Sequence, residues 1–283
     1  MRPRLIDTLA SWGLSGFGSL IPTPGFVYAV VFLVMTMVFL SRAERVDIPR
    51  PRALEVALCA GLGAGLGSRL FFLLTTGDLF RLSVPAWFDG SRGIVSWGGY
   101  LGIAAGIGIY CRVTRLAAWP FADLAASVAG LGMAIGRWSC LLAGDDFGRV
   151  ASLPWAIRYP HGSLPFRAQV AGGLIPADAA LSLPVHPFQL YLAASALVDF
   201  LVVSVVWRRY SARPGITVAA FLVVHGMTRF PLELFRDPGT GSTGVLSISQ
   251  WMCLGSIAAG TTIFIARRDR QGAVASSSAA AQA

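Results

Sequence analysis

Three arginines lie inside long hydrophobic stretches of this 283-residue chain. They are Arg69 in AGLGAGLGSRLFFLL, Arg137 in VAGLGMAIGRWSCLL and Arg229 in FLVVHGMTRFPLELF. An arginine at the centre of a membrane helix costs at least ~2.5–3.5 kcal/mol, so such residues usually face a polar cavity or a ligand. The guanidinium group keeps its proton in proteins, and its planar fork matches phosphate geometry. The three residues therefore indicate a site for an anion, and a phospholipid headgroup is the nearest candidate.

The composition is that of a membrane protein. Hydrophobic residues make up 55% of the chain, charged residues only 13%, and the mean hydropathy is +0.64. A soluble domain does not need so much apolar surface. The net charge of +9 would also suit a nucleic-acid-binding protein. However, the arginines are spread through the connections between hydrophobic stretches, so we interpret them as a topology signal and expect no nucleic-acid partner.

The hydrophobic pattern predicts an all-α, polytopic membrane protein with seven transmembrane helices. Their expected ranges are 25–41, 53–76, 93–111, 118–142, 187–207, 215–235 and 245–266. Arginines cluster in alternate connections and after the last span: Arg42, Arg45, Arg50, Arg52, Arg112, Arg115, Arg208, Arg209, Arg213, Arg267, Arg268 and Arg270. Because cytoplasmic loops are rich in basic residues, we expect the N-terminus outside and the C-terminus inside.

The chain divides into three parts around these spans. We expect residues 1–24 to form an interfacial segment, residues 25–266 the transmembrane catalytic domain, and residues 267–283 a disordered cytoplasmic tail. The connection at 143–186 is too long for a simple loop and contains LPWAIRYP, which predicts a small extracytoplasmic cap. The four cysteines form neither a CxxC motif nor a Cys/His cluster. Since there is also no nucleotide-binding loop, we expect no metal site, disulfide framework or cofactor.

The predicted topology brings polar residues from all seven helices to the outer side of the membrane. They are Tyr28, Arg69, Ser96, Trp97, Gly98, Arg137, His186, Gln189, Tyr191, Arg229, Ser249 and Gln250. On the sixth span, four polar residues are spaced four, four and three apart: His225, Arg229, Glu233 and Arg236. They share one helical face, so Glu233 is expected to hold one or both arginines. The alternative is a structural ion pair that locks the helix bundle.

Five motifs resemble those of the prolipoprotein diacylglyceryl transferase family. Residues 136–148 (GRWSCLLAGDDFG) resemble the signature G-R-x-G-N-F-x-N-x-E-x-x-G, and residues 186–192 (HPFQLYL) resemble H-P-x-Q-L-Y-E. Residues 229–238 (RFPLELFRDP) resemble R-F-x-x-E-F-x-R-x-P. Residues 247–250 (SISQ) and 67–70 (GSRL) match the S-x-x-Q and G-x-R-L/I motifs of the seventh and second helices. The matches follow the family order from about residue 25 to residue 260.

The resemblance implies an enzyme of the bacterial cytoplasmic (inner) membrane, with its active site toward the outer side. Such an enzyme moves a diacylglyceryl group from phosphatidylglycerol to the lipobox cysteine of a prolipoprotein and releases glycerol phosphate. Its partners would be phosphatidylglycerol, prolipoprotein signal peptides and the lipid bilayer. Sulfur attacks an alkyl carbon as a phosphate ester departs, so the site needs a base for the thiol and cations for the leaving phosphate.

Arg137 and Arg229 fit the task of stabilising the leaving phosphate. The substrate-binding residues expected from the resemblance and from the convergence of polar groups are Tyr28, Arg69, Trp97, Gly98, Gly99, Gln189, Glu233, Arg236 and Gln250. Where the family has the histidine of H-G-G, this chain has Trp97, and the signature asparagine and glutamate are Cys140 and Asp145.

Trp97 cannot accept a proton, so the expected base is His186 or Asp145. The replacement of the family's histidine, asparagine and glutamate by Trp97, Cys140 and Asp145 leaves two alternative functions open. One is a lipid- or lipoprotein-binding paralogue without turnover, and the other is a related transferase with a different acceptor.

Overall fold

The computed structural model describes residues 24–79, 95–237 and 245–281, so the segment predicted at 1–24 lies almost wholly outside the described residues. Within the described ranges the chain is all-helical, as predicted. The helices are α1 (Pro24–Glu44), α2 (Arg50–Thr76), α3 (Ser96–Val113), α4 (Ala118–Ala143), α5 (Leu164–Ala171), α6 (Phe188–Tyr210), α7 (Ile216–Leu232) and α8 (Ile248–Ala281). A 3-10 turn at Glu233–Phe235 follows α7.

Six of these helices are long and apolar enough to cross a membrane. They are α1, α2, α4, α6, α7 with its 3-10 turn, and α8 as far as Arg268. The third predicted span corresponds to α3, which is not one of the six. Its first residues, SWGGY, and Arg112 near its end lower its mean hydropathy. The described part of the chain thus contains six candidate spans where the sequence predicted seven.

Several helices extend beyond their predicted ends, so five arginines predicted in loops lie in helices: Arg50 and Arg52 in α2, Arg112 in α3, and Arg208 and Arg209 in α6. Two further ends bear on the fold. Arg42 was predicted in a loop, which is wrong, because α1 continues to Glu44 and buries this side chain. The guanidinium of Arg42 donates to the carbonyl oxygen of Ser127 (2.6 Å) and to Oγ of Ser204 (2.7 Å), so it ties α1 to α4 and α6. At the other end of the chain, α8 continues past residue 266 where we expected a disordered tail. The alanine-rich composition of this segment favours helix.

Glycines allow α2 and α3 to pack backbone against backbone. Gly63 faces Gly102, and Gly67 faces Gly98, in a reciprocal arrangement. A Cβ atom at any of these four positions would overlap a carbonyl group of the opposite helix. Small residues four apart are a common means of close helix contact in membranes. The pair formed by α2 and α3 joins the rest of the bundle through contacts of α2 with α1 and of α3 with α4.

The remaining helices pack in the order α1, α4, α6, α7 and α8. Buried polar groups fix their register. Asp199 of α6 is fully buried, and its two carboxylate oxygens lie 2.8 Å from Nδ1 of His225 and 2.7 Å from Oγ1 of Thr228 on α7. His225 therefore pairs with α6, although it shares a face of α7 with Arg229.

A second buried carboxylate caps the start of α7. Asp123 of α4 accepts hydrogen bonds from the backbone N–H groups of Gly215 (2.6 Å) and Val218 (2.8 Å). The first N–H groups of a helix have no partner within the helix and carry partial positive charge. A carboxylate from a neighbouring helix thus supplies the acceptor that the sequence around Gly215 lacks.

The connection between α4 and α6 forms a folded cap over one end of the bundle. It contains α5 and isolated antiparallel bridges that join Val185 to both Val150 and Ile157. Phe147, Tyr159 and Val185 form its small buried core. The C-terminal end of α7 and the N-terminal end of α6 lie under this cap, so the residues of the three longest motifs meet here.

Candidate functional site

Two left-handed residues turn the chain back after α4. Gly144 ends the helix with φ +75°, and its N–H donates to the carbonyl oxygen of Cys140 (2.9 Å). Asp146 also has a positive φ, +51°. Aspartate tolerates this conformation better than most residues because its short side chain forms local hydrogen bonds. The turn brings the carboxylate of Asp146 back over the last turns of α4, where it meets Arg137.

The end of α7 is shaped by Pro231. Proline lacks an N–H group, and its ring clashes with the carbonyl four residues earlier, so a helix rarely continues past it. Here α7 ends at Leu232 and the 3-10 turn begins at Glu233. This change of helix type places Glu233 between Arg229 and Arg236, as the sequence predicted for a residue that holds one or both arginines.

Gly148 fastens the cap to the end of α7. It forms an antiparallel bridge with Arg236, and its N–H donates to the carbonyl oxygen of His186 (3.2 Å). A Cβ atom at this position would lie 2.6 Å from Cβ of His186 and 2.7 Å from the carbonyl oxygen of Phe235. Only glycine fits here without a shift of the backbone, which explains this position of the motif at 136–148.

Five charged side chains at this end of the bundle form one continuous chain of ion pairs. The links are Arg137 Nη1 to Asp146 Oδ2 (2.6 Å), Asp146 Oδ1 to Arg236 Nη2 (2.9 Å), Arg236 Nη1 to Glu233 Oε1 (3.2 Å), and Glu233 Oε2 to Arg229 Nη2 (2.7 Å). Each side chain is at most a quarter exposed. Three guanidinium groups face two carboxylates, so one positive charge is in excess. This ion-pair chain can attract an anion and offer it N–H donors.

Arg229 has a donor to spare. Its side chain is buried, its Nη2 pairs with Glu233, and its guanidinium carbon lies 5.4 Å from the centre of the Phe188 ring. Its Nη1 atom is buried and has no hydrogen-bond partner among the residues that the structure describes. Because guanidinium N–H groups are strong donors, this atom is suited to a phosphate oxygen.

Asp145 lies beside Arg137 but takes no part in the ion-pair chain. Burial raises the pKa of its carboxyl group, a hydrogen bond from the thiol of Cys140 opposes this, and Asp146 adds to the rise. Its backbone carbonyl oxygen accepts a hydrogen bond from Nε2 of Gln189 (2.6 Å). A carboxylate with a raised pKa is a better proton acceptor than an ordinary aspartate.

Gln189 connects the start of α6 to the cap. It is fully buried, and its Nε2 donates to the hydroxyl of Tyr159 (3.0 Å) as well as to Asp145. Burial raises the pKa of Tyr159 to about 12, so its hydroxyl group keeps its proton at neutral pH. The structure places Gln189 next to Asp145 at the start of α6, and its role in substrate binding stays a prediction.

His186, the other candidate base, belongs to an aromatic cluster. Its Nδ1 lies 3.1 Å from the hydroxyl of Tyr191, which accepts a hydrogen bond from Nε1 of Trp155 (2.8 Å). Its ring centre lies 5.1 Å from that of Phe235. Burial lowers the pKa of His186, and the charge of Arg149 lowers it further, so the imidazole is neutral at pH 7. Among the described residues, the ring contacts of His186 are with this cluster and not with the ion-pair chain.

The remaining predicted residues lie around the ion-pair chain or in helix contacts. Tyr28 of α1 is close enough to Arg137 and Asp145 to interact with their charges. Trp97 packs edge-on against Tyr100, with 5.5 Å between the ring centres. Tyr100 in turn interacts electrostatically with Arg137 and Arg229, a role the sequence gave no reason to expect.

Four predicted substrate-binding residues have structural contacts. The guanidinium of Arg69 lies 5.1 Å from the ring centre of Phe72. Gly98 and Gly99 pack against α2, where a Cβ atom on Gly99 would lie 2.7 Å from Oγ of Ser68. Gln250 caps α8, because it and Ser247 exchange side-chain and backbone hydrogen bonds of 3.0 and 3.2 Å. In the structure Arg69, Gly98 and Gly99 thus make packing contacts, and Gln250 caps a helix. The role of these four residues in substrate binding stays a prediction.

Asp146 is the residue that sequence reasoning missed. It links Arg137 to Arg236, yet the prediction assigned the site to its neighbour Asp145. A spacing of nine residues from Arg137 does not place the two on one helical face, and the reversal at Gly144 cannot be read from spacing. Within the described ranges, no group of three or more His, Cys, Asp or Glu side chains could hold a metal ion.

Comparison with known proteins gives a consistent result. A family model described as prolipoprotein diacylglyceryl transferase matches residues 17–266. A Rhodospirillum rubrum protein named phosphatidylglycerol–prolipoprotein diacylglyceryl transferase is 33% identical over 243 residues, which cover 81% of each chain. A protein of the same name from Chromobacterium violaceum is 33% identical over 215 residues, 72% of this chain and 74% of its own. Another from Aromatoleum aromaticum is 31% identical over 261 residues, 86% of this chain and 90% of its own.

Proposed function

The chain belongs to the prolipoprotein diacylglyceryl transferase family, and from this membership we propose that it transfers a diacylglyceryl group from phosphatidylglycerol to the cysteine thiol of a prolipoprotein. The observation that carries the proposal is the ion-pair chain, which gathers Arg137, Arg229 and Arg236 under the cap with one positive charge in excess. Guanidinium groups held in a largely dry site stabilise a phosphate more strongly than they would in water.

The proposed step is a substitution at carbon. The thiolate sulfur attacks the glyceryl carbon that carries the phosphate ester, a C–S bond forms, and the C–O bond breaks. The electron pair of that bond leaves with glycerol phosphate, and the thiol proton passes to a base. Arg137 and Arg229 stabilise the charge that grows on the leaving phosphate. Removal of one such donor typically lowers the rate by about 10²–10³-fold.

Asp145 is the better candidate for the base. It lies beside Arg137, and burial raises the pKa of its carboxyl group, which increases its ability to accept the thiol proton. His186 is also unprotonated at pH 7, but its contacts are with the aromatic cluster of Tyr191 and Phe235. Trp97 stands where the resemblance implies a histidine and cannot replace it in proton transfer.

We also propose the full topology predicted from the sequence: seven spans, N-terminus outside, and the site on the outer side of a bacterial inner membrane. As the seventh span we count α3, because glycines hold it along the length of the candidate span α2. Arg112, Arg208 and Arg267 lie at the helix ends opposite the site, which supports a cytoplasmic location for those ends. In this arrangement residues 1–24 lie on the outer leaflet, residues 25–266 form the catalytic domain, and residues 267–283 form a cytoplasmic tail.

Complementation tests the proposed function directly. A bacterial strain depleted of its own diacylglyceryl transferase would express the wild-type chain, Arg137→Ala or Arg167→Ala, with lipoprotein maturation followed by gel shift. Arg167 is an exposed arginine on α5, so its variant is the matched control. We expect rescue by the wild type and by Arg167→Ala, and loss of rescue by Arg137→Ala.

A second assay uses the purified protein, phosphatidylglycerol liposomes and a synthetic lipobox peptide, with transfer measured by mass spectrometry. Arg137→Ala should lower the rate by about 10²–10³-fold. If a well-inserted wild-type protein transferred nothing in either assay, the proposal would be wrong. A lipid- or lipoprotein-binding protein without turnover would then be the better description, and co-purified lipids would be the next measurement.

A further inference from the structure

The orientation of the Gln189 amide is fixed by its partners. Nε2 lies 2.6 Å from the backbone carbonyl oxygen of Asp145, which can only accept a hydrogen bond, so the NH₂ group must point there. The other side-chain atom, Oε1, is therefore an acceptor. It is buried and has no hydrogen-bond partner among the described residues. Buried acceptors of this kind are rare in folded proteins and call for an explanation.

Further unmatched atoms lie in the same region, among them Nε of Arg236 and the two described next. Oδ1 of Asp145 is a second buried acceptor without a partner in the described part of the chain, and Nη1 of Arg229 is an unmatched donor. Arg229 stacks over Phe188, the residue next to Gln189 in the first turn of α6. Two spare acceptors and one spare guanidinium donor thus belong to residues that touch one another or their immediate neighbours.

The chemistry of these atoms matches one kind of headgroup. We infer that Gln189 Oε1 and Asp145 Oδ1 accept hydrogen bonds from the two hydroxyl groups of the terminal glycerol of phosphatidylglycerol, while Arg229 donates to its phosphate. This assignment rests on the proposed function and adds the means of substrate selection. The hydroxyl of Tyr159, which accepts from Gln189 Nε2 and keeps its own proton, can donate to a glycerol oxygen.

An ammonium headgroup fits this arrangement poorly. The ion-pair chain carries one positive charge in excess, an ionised Asp145 only balances that charge, and the amide oxygen of Gln189 is neutral, so the site has no net negative charge to attract a cation. A headgroup without hydroxyl groups would leave both acceptors unmatched. The three spare atoms are closed off from the surface, so the headgroup has to displace the side chains that cover them.

Two lipids separate the hydroxyl contacts from the phosphate contact. Phosphatidylpropanol has the same phosphate and three-carbon alcohol as phosphatidylglycerol but lacks both free hydroxyl groups. We would measure kcat/KM for each lipid with the wild-type protein, a lipobox peptide and liposomes of otherwise equal composition. We expect phosphatidylglycerol to be preferred by about ten- to a hundredfold, because each unmatched buried acceptor penalises the analogue.

Two variants test whether Gln189 contributes to the preference for phosphatidylglycerol over phosphatidylpropanol. Gln189→Met keeps the approximate shape and removes the amide, so the preference should fall by about three- to tenfold, while the contact of Asp145 preserves the remainder. Gln169→Met is the matched control, because Gln169 is a buried glutamine of the cap whose Oε1 accepts from the N–H of Leu183 (2.7 Å). It should change both rates alike and leave the preference intact. If Gln189→Met kept the wild-type preference, the inference would be overturned.

The wild-type protein alone also decides the question. Equal transfer from both lipids would refute the hydroxyl contacts while leaving the proposed function standing. Absence of transfer from either lipid would refute the proposed function. In that case, thermal stabilisation of the protein in nanodiscs by the two lipids tests the subsite, with a larger shift expected for phosphatidylglycerol and equal shifts contradicting the inference.

Discussion

Replacement of Asp146 by asparagine should break the ion-pair chain at its centre. Each carboxylate oxygen of Asp146 serves a different arginine, at 2.6 Å for Arg137 and 2.9 Å for Arg236. Asparagine offers one oxygen and one NH₂ group, so one arginine would face a donor instead of an acceptor. Removal of one partner from a buried ion pair typically costs about 3–5 kcal/mol.

Partial exposure reduces that figure. The side chains of Arg137 and Asp146 are 20% and 18% exposed, and that of Arg236 is 24% exposed, so water screens part of the interaction. We therefore expect a loss of about 2–3 kcal/mol in the free energy of unfolding. For a chain of this size that corresponds to a Tm lower by roughly 5–10 °C. Displacement of Arg137 should also lower the transfer rate by about ten- to a hundredfold.

Thermal unfolding in detergent and the liposome transfer assay measure the two effects. Asp146→Glu keeps both oxygens and should lose less stability than Asp146→Asn. Asp178→Asn removes an exposed carboxylate of the cap and serves as the matched control, with no change expected in either assay. If Asp146→Asn unfolded at the wild-type temperature and retained full activity, the ion-pair chain would not be what positions Arg137.

Three other substitutions test separate parts of the structure. Because burial raises the pKa of Asp145, this residue contributes stability below its ordinary pKa of about 3.9 that is lost as pH rises through the raised value. Asp145→Asn should therefore raise Tm at pH 7 by more than at pH 4, and it should lower the rate of diacylglyceryl transfer. A gain in Tm that does not depend on pH would contradict the raised pKa of Asp145. Gly102→Ala should destabilise the protein by more than about 2 kcal/mol, because the new Cβ atom would overlap the carbonyl of Gly63. Gly65 faces open space, so Gly65→Ala should be neutral or stabilising in the same thermal unfolding measurement. Asp199→Ala should cost about 3–5 kcal/mol, and a further His225→Ala should add little, because the two act as one buried pair; additive losses in the double variant would disprove the coupling.

Much of the site could be predicted because it rests on helical periodicity. Glu233 lies between Arg229 and Arg236 at spacings of four and three, and the structure joins all three, although Pro231 ends the helix on the way. The pairing of Asp146 with Arg137 could not be predicted, because a reversal of the backbone at two left-handed residues, Gly144 and Asp146, separates the two side chains along the chain. Backbone reversals depend on tertiary packing, which spacing along the sequence does not encode.

The fold was predictable to a similar depth. The apolar stretches gave the helices, but the end of α1 was placed too early because Arg42 was interpreted as a loop residue. In the structure this arginine is buried among Ser127, Ser204 and the rings of Phe200 and Trp207. Whether a basic residue at a helix end faces the cytoplasm or a neighbouring helix depends on partners 85 and 162 residues away.

The cap that Asp123 provides for α7 also has a consequence for biogenesis. Its partner Gly215 lies 92 residues later in the chain, which at ribosomal rates of about 5–20 residues per second is a delay of roughly 5–20 s. During that interval α4 is already synthesised while the carboxylate has no N–H groups to bind. Until α7 has been synthesised, Asp123 therefore lacks the two N–H groups that satisfy it in the complete fold. A chain that stops before α7 leaves this carboxylate without those donors, so burial of Asp123 depends on completion of the bundle.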